Sequence, residues 1–196
     1  MPATAQNSAP NGAAELRSLA SQVGMLPAMQ RLLAYRDEHS PASNPRYWAA
    51  VNFDLHSATP RLYLFDRVDN DRTDYLCTHG KGSDPSHTGI ARRFSNIDGS
   101  KCTCLGIFRT GETYHGGNGY SLYLHGESPT NFNAFRRHIV MHPARYATPE
   151  WANRHGKLGR SEGCPAVGPE HSRQIIDALR GGSFLIHWSS QLEERN

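Results

Sequence analysis

Gly159-Arg160-Ser161-Glu162-Gly163-Cys164-Pro165-Ala166-Val167 is the stretch from which the rest of the chain is read. A cysteine directly after glycine, with serine and arginine before it and proline after it, is not an ordinary core position. Structural cysteines sit among apolar neighbours, whereas these neighbours are small or charged. The thiol therefore belongs where a loop meets a regular element and a substrate can approach. The competing reading is a structural thiol. The reactive form is the thiolate, which needs a base or a cation to form at neutral pH. Ile139-Val140-Met141-His142-Pro143 supplies a base, because an apolar strand-like run ending in histidine delivers that side chain to a sheet rim. Gly163 permits a tight turn, so the N–H groups of Gly163 and Cys164 are candidate donors to an oxyanion.

Working outward, the pattern alternates between short apolar runs and turn residues. Tyr47 to Leu55 reads as a strand, and Arg61 to Phe65 with Tyr75 to Thr78 reads as a hairpin closed by Asp69-Asn70-Asp71. Residues 80–100 form a long loop rich in Gly, Ser, Asp and Pro, a length that compact domains keep for functional sites. Further strands are expected at Leu105–Arg109, Tyr120–Leu124 and His138–His142. Pro169 to Leu179 places Ile175, Ile176 and Leu179 on one helical face, Gly181-Gly182 stop it, and Ser183 to Trp188 closes the sheet. At the other end, Leu16, Leu19, Ala20 and Val23 mark one amphipathic helix. Pro27 opens a second helix carrying Met29, Leu32 and Leu33. Residues 1–12 show no periodicity and read as a disordered lead, so 13–196 is one domain with an N-terminal helical extension.

The composition agrees with one soluble domain: 196 residues, 37% hydrophobic, 20% charged, with 18 glycines and 12 prolines. The net charge of +3 suits an anionic polymer only weakly, and no basic stripe points to nucleic acid. No run approaches the roughly 18 apolar residues of a membrane span. The first residues lack the basic and apolar regions of a secretory signal, which leaves a cytosolic protein or an exported one whose signal is not in the chain. Among Cys77, Cys102 and Cys104, one bridge from Cys77 to either of the others and three ordinary buried thiols are equally open readings. His138 and His142 are spaced like a zinc pair but lack the glutamate of a zinc-peptidase helix, so no metal site is expected.

Several ordered motifs now make a resemblance visible. Thr78-His79-Gly80-Lys81-Gly82-Ser83, Arg93-Phe94-Ser95-Asn96 and Gly111-Glu112-Thr113-Tyr114 come first. Gly119-Tyr120-Ser121-Leu122, Ile139-Val140-Met141-His142 and the Gly159–Val167 stretch follow. Together they resemble the L,D-transpeptidase catalytic domain with its YkuD-like fold, and within it the murein L,D-transpeptidase subgroup. The resemblance implies a mainly β, α+β sandwich with two N-terminal helices and one C-terminal helix. It implies Cys164 as nucleophile and His142 as general base, with Ser161, Gly163 and Arg160 supporting the oxyanion site. His79, Tyr120 and Ser121 are expected substrate contacts, although His79 equally reads as a hairpin cap. The implied reaction transfers an acyl group from a peptidoglycan tetrapeptide stem, releasing D-alanine, with no metal or cofactor. Its implied place is the periplasm or another extracytoplasmic space.

Three residues depart from the family pattern. Pro143 stands where glycine usually follows the base, Arg160 precedes the motif in place of an arginine after it, and Glu162 sits beside the thiol. Arg160 is thus a candidate carboxylate clamp. Rival readings with the same Cys–His site are an L,D-carboxypeptidase and a stem-modifying effector. A peptidoglycan-binding module without turnover is the rival from a different class.

Overall fold

The computed structural model describes residues 12–192. The lead expected over 1–12 lies outside them, except for Gly12, whose positive φ of 69° starts the first helix. Helix α1 (Ala13–Ser21) buries Leu16, Leu19 and Ala20, and α2 (Leu26–His39) buries Ala28, Met29, Leu32 and Leu33. Pro27 sits in the first turn of α2, where its missing N–H costs nothing. These spacings are the apolar stripe that the sequence displays, and α2 lays it against the sheet at β8 (Phe184–Trp188).

The other strands are β1 (Tyr47–Asn52), β2 (Leu62–Asp66), β3 (Asp71–Tyr75), β4 (Gly106–Gly116), β5 (Gly119–Gly126), β6 (Val140–Pro143) and β7 (Ala166–Val167). Their hydrogen-bonded order is β3-β2-β1-β8-β4-β5-β6-β7. Among the strands of the described residues, only β1–β8 and β6–β7 pair in parallel. Every residue of β8 is buried, which is why it reads as an apolar run broken only by His187 and not as an alternation. Trp48 of β1 stacks on Phe184 of β8 with ring centroids 4.5 Å apart. Truncating either ring to alanine is expected to cost about 3–5 kcal/mol. Helix α4 (Pro169–Leu179) returns the chain from β7 to β8 and buries Ile175, Ile176 and Leu179.

The mainly β, α+β architecture with two helices at the start and one near the end is what the chain adopts. Two local readings need correction. The second strand of the first hairpin is Asp71–Tyr75, not Tyr75–Thr78, with Leu62 paired to Tyr75 and Asp66 to Asp71. This is an edge strand, and its Asp71, Arg72 and Asp74 are the charges that keep an open edge from pairing with other chains. A run of such charges carries no strand signal. Helix α3 (Pro149–His155) was also unanticipated. The Thr148 side chain caps it by accepting from Trp151 N at 3.2 Å, and Gly156 ends it at φ 72°. Those caps are legible in the sequence, but seven residues are too few to show an apolar period.

Candidate active site

Strands β6 and β7 lie side by side and parallel, with His142 opposite Ala166 and Pro143 opposite Val167. Continued two residues back, that register sets Cys164 beside Val140. Accordingly the Val140 N–H points at Cys164 Sγ (3.5 Å), and the thiol is directed at the His138 carbonyl, also at 3.5 Å. On its other flank this strand is held by the segment entering the long loop. Thr78 N donates to Ala166 O (2.9 Å), Lys81 N donates to Ser161 O (2.8 Å), and Gly80 bridges Ser161. Glycine is required at 163: its φ is 128°, and a Cβ there would lie 2.7 Å from Cys102 O.

Ser161 closes the turn before the cysteine. Its hydroxyl donates to Cys164 O at 2.7 Å and accepts from Gly163 N at 3.1 Å. The Gly163 N–H is thereby spent, which corrects its expected role as an oxyanion donor. The Cys164 N–H finds no acceptor among the described residues and remains available.

His142 is buried, with Nδ1 2.9 Å from Pro143 O. A carbonyl only accepts, so Nδ1 carries the proton and Nε2 presents its lone pair. Burial holds the imidazole below its ordinary pKa, and the bond to Pro143 partly offsets this, so the ring is neutral at pH 7. Proline at 143 costs the site nothing here, because what His142 uses is the carbonyl. Burial pushes the Cys164 thiol above its ordinary value. The Val140 N–H and the Arg137 guanidinium pull it back, and Glu162 raises it further. The resting pair is thus a neutral thiol on the segment entering β7 and a neutral imidazole on β6, with the thiol turned toward His138.

Register also aligns β4 and β5 with this pair. Tyr114 faces Ser121, and the Leu122–Met141 pairing carries Ser121 across to His142. Tyr114, Ser121 and His142 therefore form one cross-strand row on the same sheet face. Burial raises the Tyr114 and Tyr146 hydroxyls above their ordinary values, and a charge on Cys164 would raise both further.

Other expected contacts lie elsewhere. Tyr120 alternates to the opposite face, where its hydroxyl donates to Asp177 of α4 at 2.6 Å and Arg173 lies over its ring. His79 is 1% exposed, with both nitrogens engaged: Arg61 Nη2 donates to Nδ1 at 2.8 Å, and Nε2–H donates to Asp84 Oδ2 at 3.3 Å. It pins the loop instead of meeting a ligand. Arg160 spends Nη1 on the main-chain carbonyls of Asp84 and Pro85, so it fastens the same loop. Glu162, two residues before Cys164, is ion-paired to Lys81 (2.7 Å) and Lys101 (3.1 Å).

The sequence reading missed Arg137, Tyr146 and the pairing of Lys81 and Lys101 with Glu162. Arg137 donates to Ser95 O, Ser100 Oγ and Cys102 O, contacts that bring together segments far apart in the chain. Nothing local in the sequence announces them. All four cysteines are free and buried, so the Cys77 bridge is not formed. His138 is exposed at φ 53°, and no cluster of three metal-ligating side chains occurs among the described residues. Nor is any described helix long and apolar enough to cross a membrane.

A family model described as the L,D-transpeptidase catalytic domain matches residues 21–188. Among solved structures, an L,D-transpeptidase from Mycobacterium smegmatis aligns at 12% identity and a TM-score of 0.43, over 73% of this chain and 58% of that one. The L,D-transpeptidase of Xylanimonas cellulosilytica aligns at 14% and 0.45, over 88% and 78%. The helical cell shape determining protein Pgp2 of Campylobacter jejuni aligns at 10% and 0.43, over 92% and 57%. The chain thus spans less than two thirds of the length of several structures it matches. No curated protein matches its sequence significantly.

Proposed function

The chain belongs to the L,D-transpeptidase catalytic-domain family, and from that premise we propose that it is a peptidoglycan acyltransferase whose nucleophile is Cys164 and whose base is His142. The observation that carries this reading is the parallel β6–β7 pair. It sets a buried cysteine beside Val140, two residues along the same face of β6 from a histidine whose Nδ1 is tied down and whose Nε2 is open. Cys164 gives its proton to Nε2 after turning from the His138 carbonyl. The thiolate then attacks the carbonyl carbon of the stem's diamino acid, and the Cys164 N–H receives the oxyanion. Collapse breaks the C–N bond, and His142 returns the proton to the leaving amine of D-alanine. An amine of a second stem attacks the thioester, gives its proton to His142, and releases the thiol as a new amide forms. Peptidoglycan as substrate places the work outside the cytoplasm.

The test is mass spectrometry of a purified tetrapeptide muropeptide incubated with the protein and with Cys164→Ala. Loss of D-alanine with cross-linked dimers, absent in the variant, is the expected result. D-alanine loss without dimers would instead mark water as acceptor and a carboxypeptidase. An unchanged substrate would overturn the reaction. A carbapenem adduct is expected on Cys164 and must vanish in Cys164→Ala.

A further inference from the structure

The face of β5 that carries Ser121 continues past the site as a strip of rings. Leu122 and Leu124 point into the core, so Tyr123 and His125 point the other way, on the His142 side. Tyr123 stacks on Tyr114 with centroids 4.4 Å apart and planes within 17°. Phe135 meets Tyr123 at 5.5 Å and stacks on His125 at 5.0 Å and 14°. Phe135 is 52% exposed, unusual for so large an apolar side chain. Four contacting rings thus run from the Tyr114–Ser121 pair out to solvent.

What covers them follows from the two flanks of the nucleophile. One flank is the Thr78–Lys81 segment, which brings Lys81 to Glu162, while Lys101 reaches the same carboxylate from the far side of the long loop. The other flank is β6, then β5 with its rings. One side carries two lysines around a single carboxylate, a net positive charge, and the other is aromatic. A donor stem has matching ends: a D-alanine carboxylate on one side of the scissile bond, and on the other a peptide that leads to neutral sugar rings. Cys164 stands beside Val140, and Tyr123 is opposite Val140 on the next strand. With strands about 4.8 Å apart, Tyr123 is roughly 10 Å from the nucleophile, and Phe135 with His125 lies one residue pair further on. Three extended residues reach about 10 Å. The peptide between the scissile bond and the sugar therefore ends at the rings.

We propose that Tyr114, Tyr123, Phe135 and His125 form a subsite for the glycan of the donor strand, stacking on pyranose faces, while Lys81 and Lys101 take the terminal carboxylate. This rests on the acyl-transfer reading for the identity of the ligand. Binding isolates it from catalysis. Calorimetry with the full chain carrying Cys164→Ala compares a disaccharide-tetrapeptide with the bare tetrapeptide. The sugar-bearing ligand is expected to bind about tenfold more tightly, and Phe135→Ala on that background is expected to remove most of the difference. Equal affinities in the parent, a gap that survives Phe135→Ala, or equal weakening of both ligands by that change would each overturn the subsite. So would absence of binding by both. A sugar preference that depends on Phe135, in a protein whose Cys164 form turns over neither ligand, would keep the subsite and sink the reaction.

Discussion

His79 and His142 are both buried, both held below the ordinary histidine pKa by that burial, and both near the Gly159–Val167 stretch. They differ in what their nitrogens do. His79 sits between Arg61 and Asp84 with both nitrogens engaged, and Arg61 also fastens Cys77 O and Leu55 O. His142 spends one nitrogen on its own neighbour's carbonyl and keeps the other. Burial and a shifted pKa therefore do not distinguish a working histidine from a structural one. What sets the proposed base apart is the lone pair that it leaves unspent.

The widest separation between the two is expected in rate. His142→Ala should slow carbapenem acylation of Cys164 by about 10²–10⁴-fold, while its urea midpoint moves little. Near-parental acylation would remove His142 as the base and dissolve the contrast. His79→Ala should show the reverse emphasis. It leaves Arg61 and Asp84 buried without their shared partner, and urea unfolding should report a loss of about 3 kcal/mol. Parental stability would mean that the network contributes nothing.

Acid sharpens the same point. Folding lowers His79 from 6.5 to about 3 and the fully buried His187 from 6.5 to about 4, each chiefly through burial. The unfolded chain thus binds more protons below pH 6.5. The stability in question is fully present above that pH and is lost as pH falls toward the folded values. Between pH 7 and pH 5 each of these histidines should withdraw on the order of 2 kcal/mol from the unfolding free energy. A flat profile over that interval would show them protonated in the fold.

The smallest effect concerns the other member of the site. Glu162 is half exposed and ion-paired to Lys81 and Lys101, and it raises the Cys164 thiol only as a minor cause. Glu162→Gln should therefore move the pH midpoint of Cys164 alkylation slightly downward, less so at high salt. Arg137→Gln should move it up. Shifts in the opposite directions would place both side chains differently around the thiol.

Much of this was written locally. The stripes of α1, α2 and α4, the apolar run of β8, and the Gly-Cys-Pro junction are set by residue type and spacing, because burial of one face needs only neighbours three, four or two positions away. What remained hidden depends on partners distant in the chain. The charged edge strand β3 owes its form to pairing with β2. Tyr120 and Ser121 are adjacent in sequence, and only the β5–β6 register decides which of them faces His142. The Gly163 N–H reads as an oxyanion donor until Ser161 Oγ is found to hold it. The ring strip likewise exists only where β4, β5 and the turn carrying Phe135 meet. Sequence alone determined which residues could react and which faces must be buried. Tertiary structure decided which lone pairs and N–H groups were left to react, because every hydrogen bond made within the fold removes one from the chemistry.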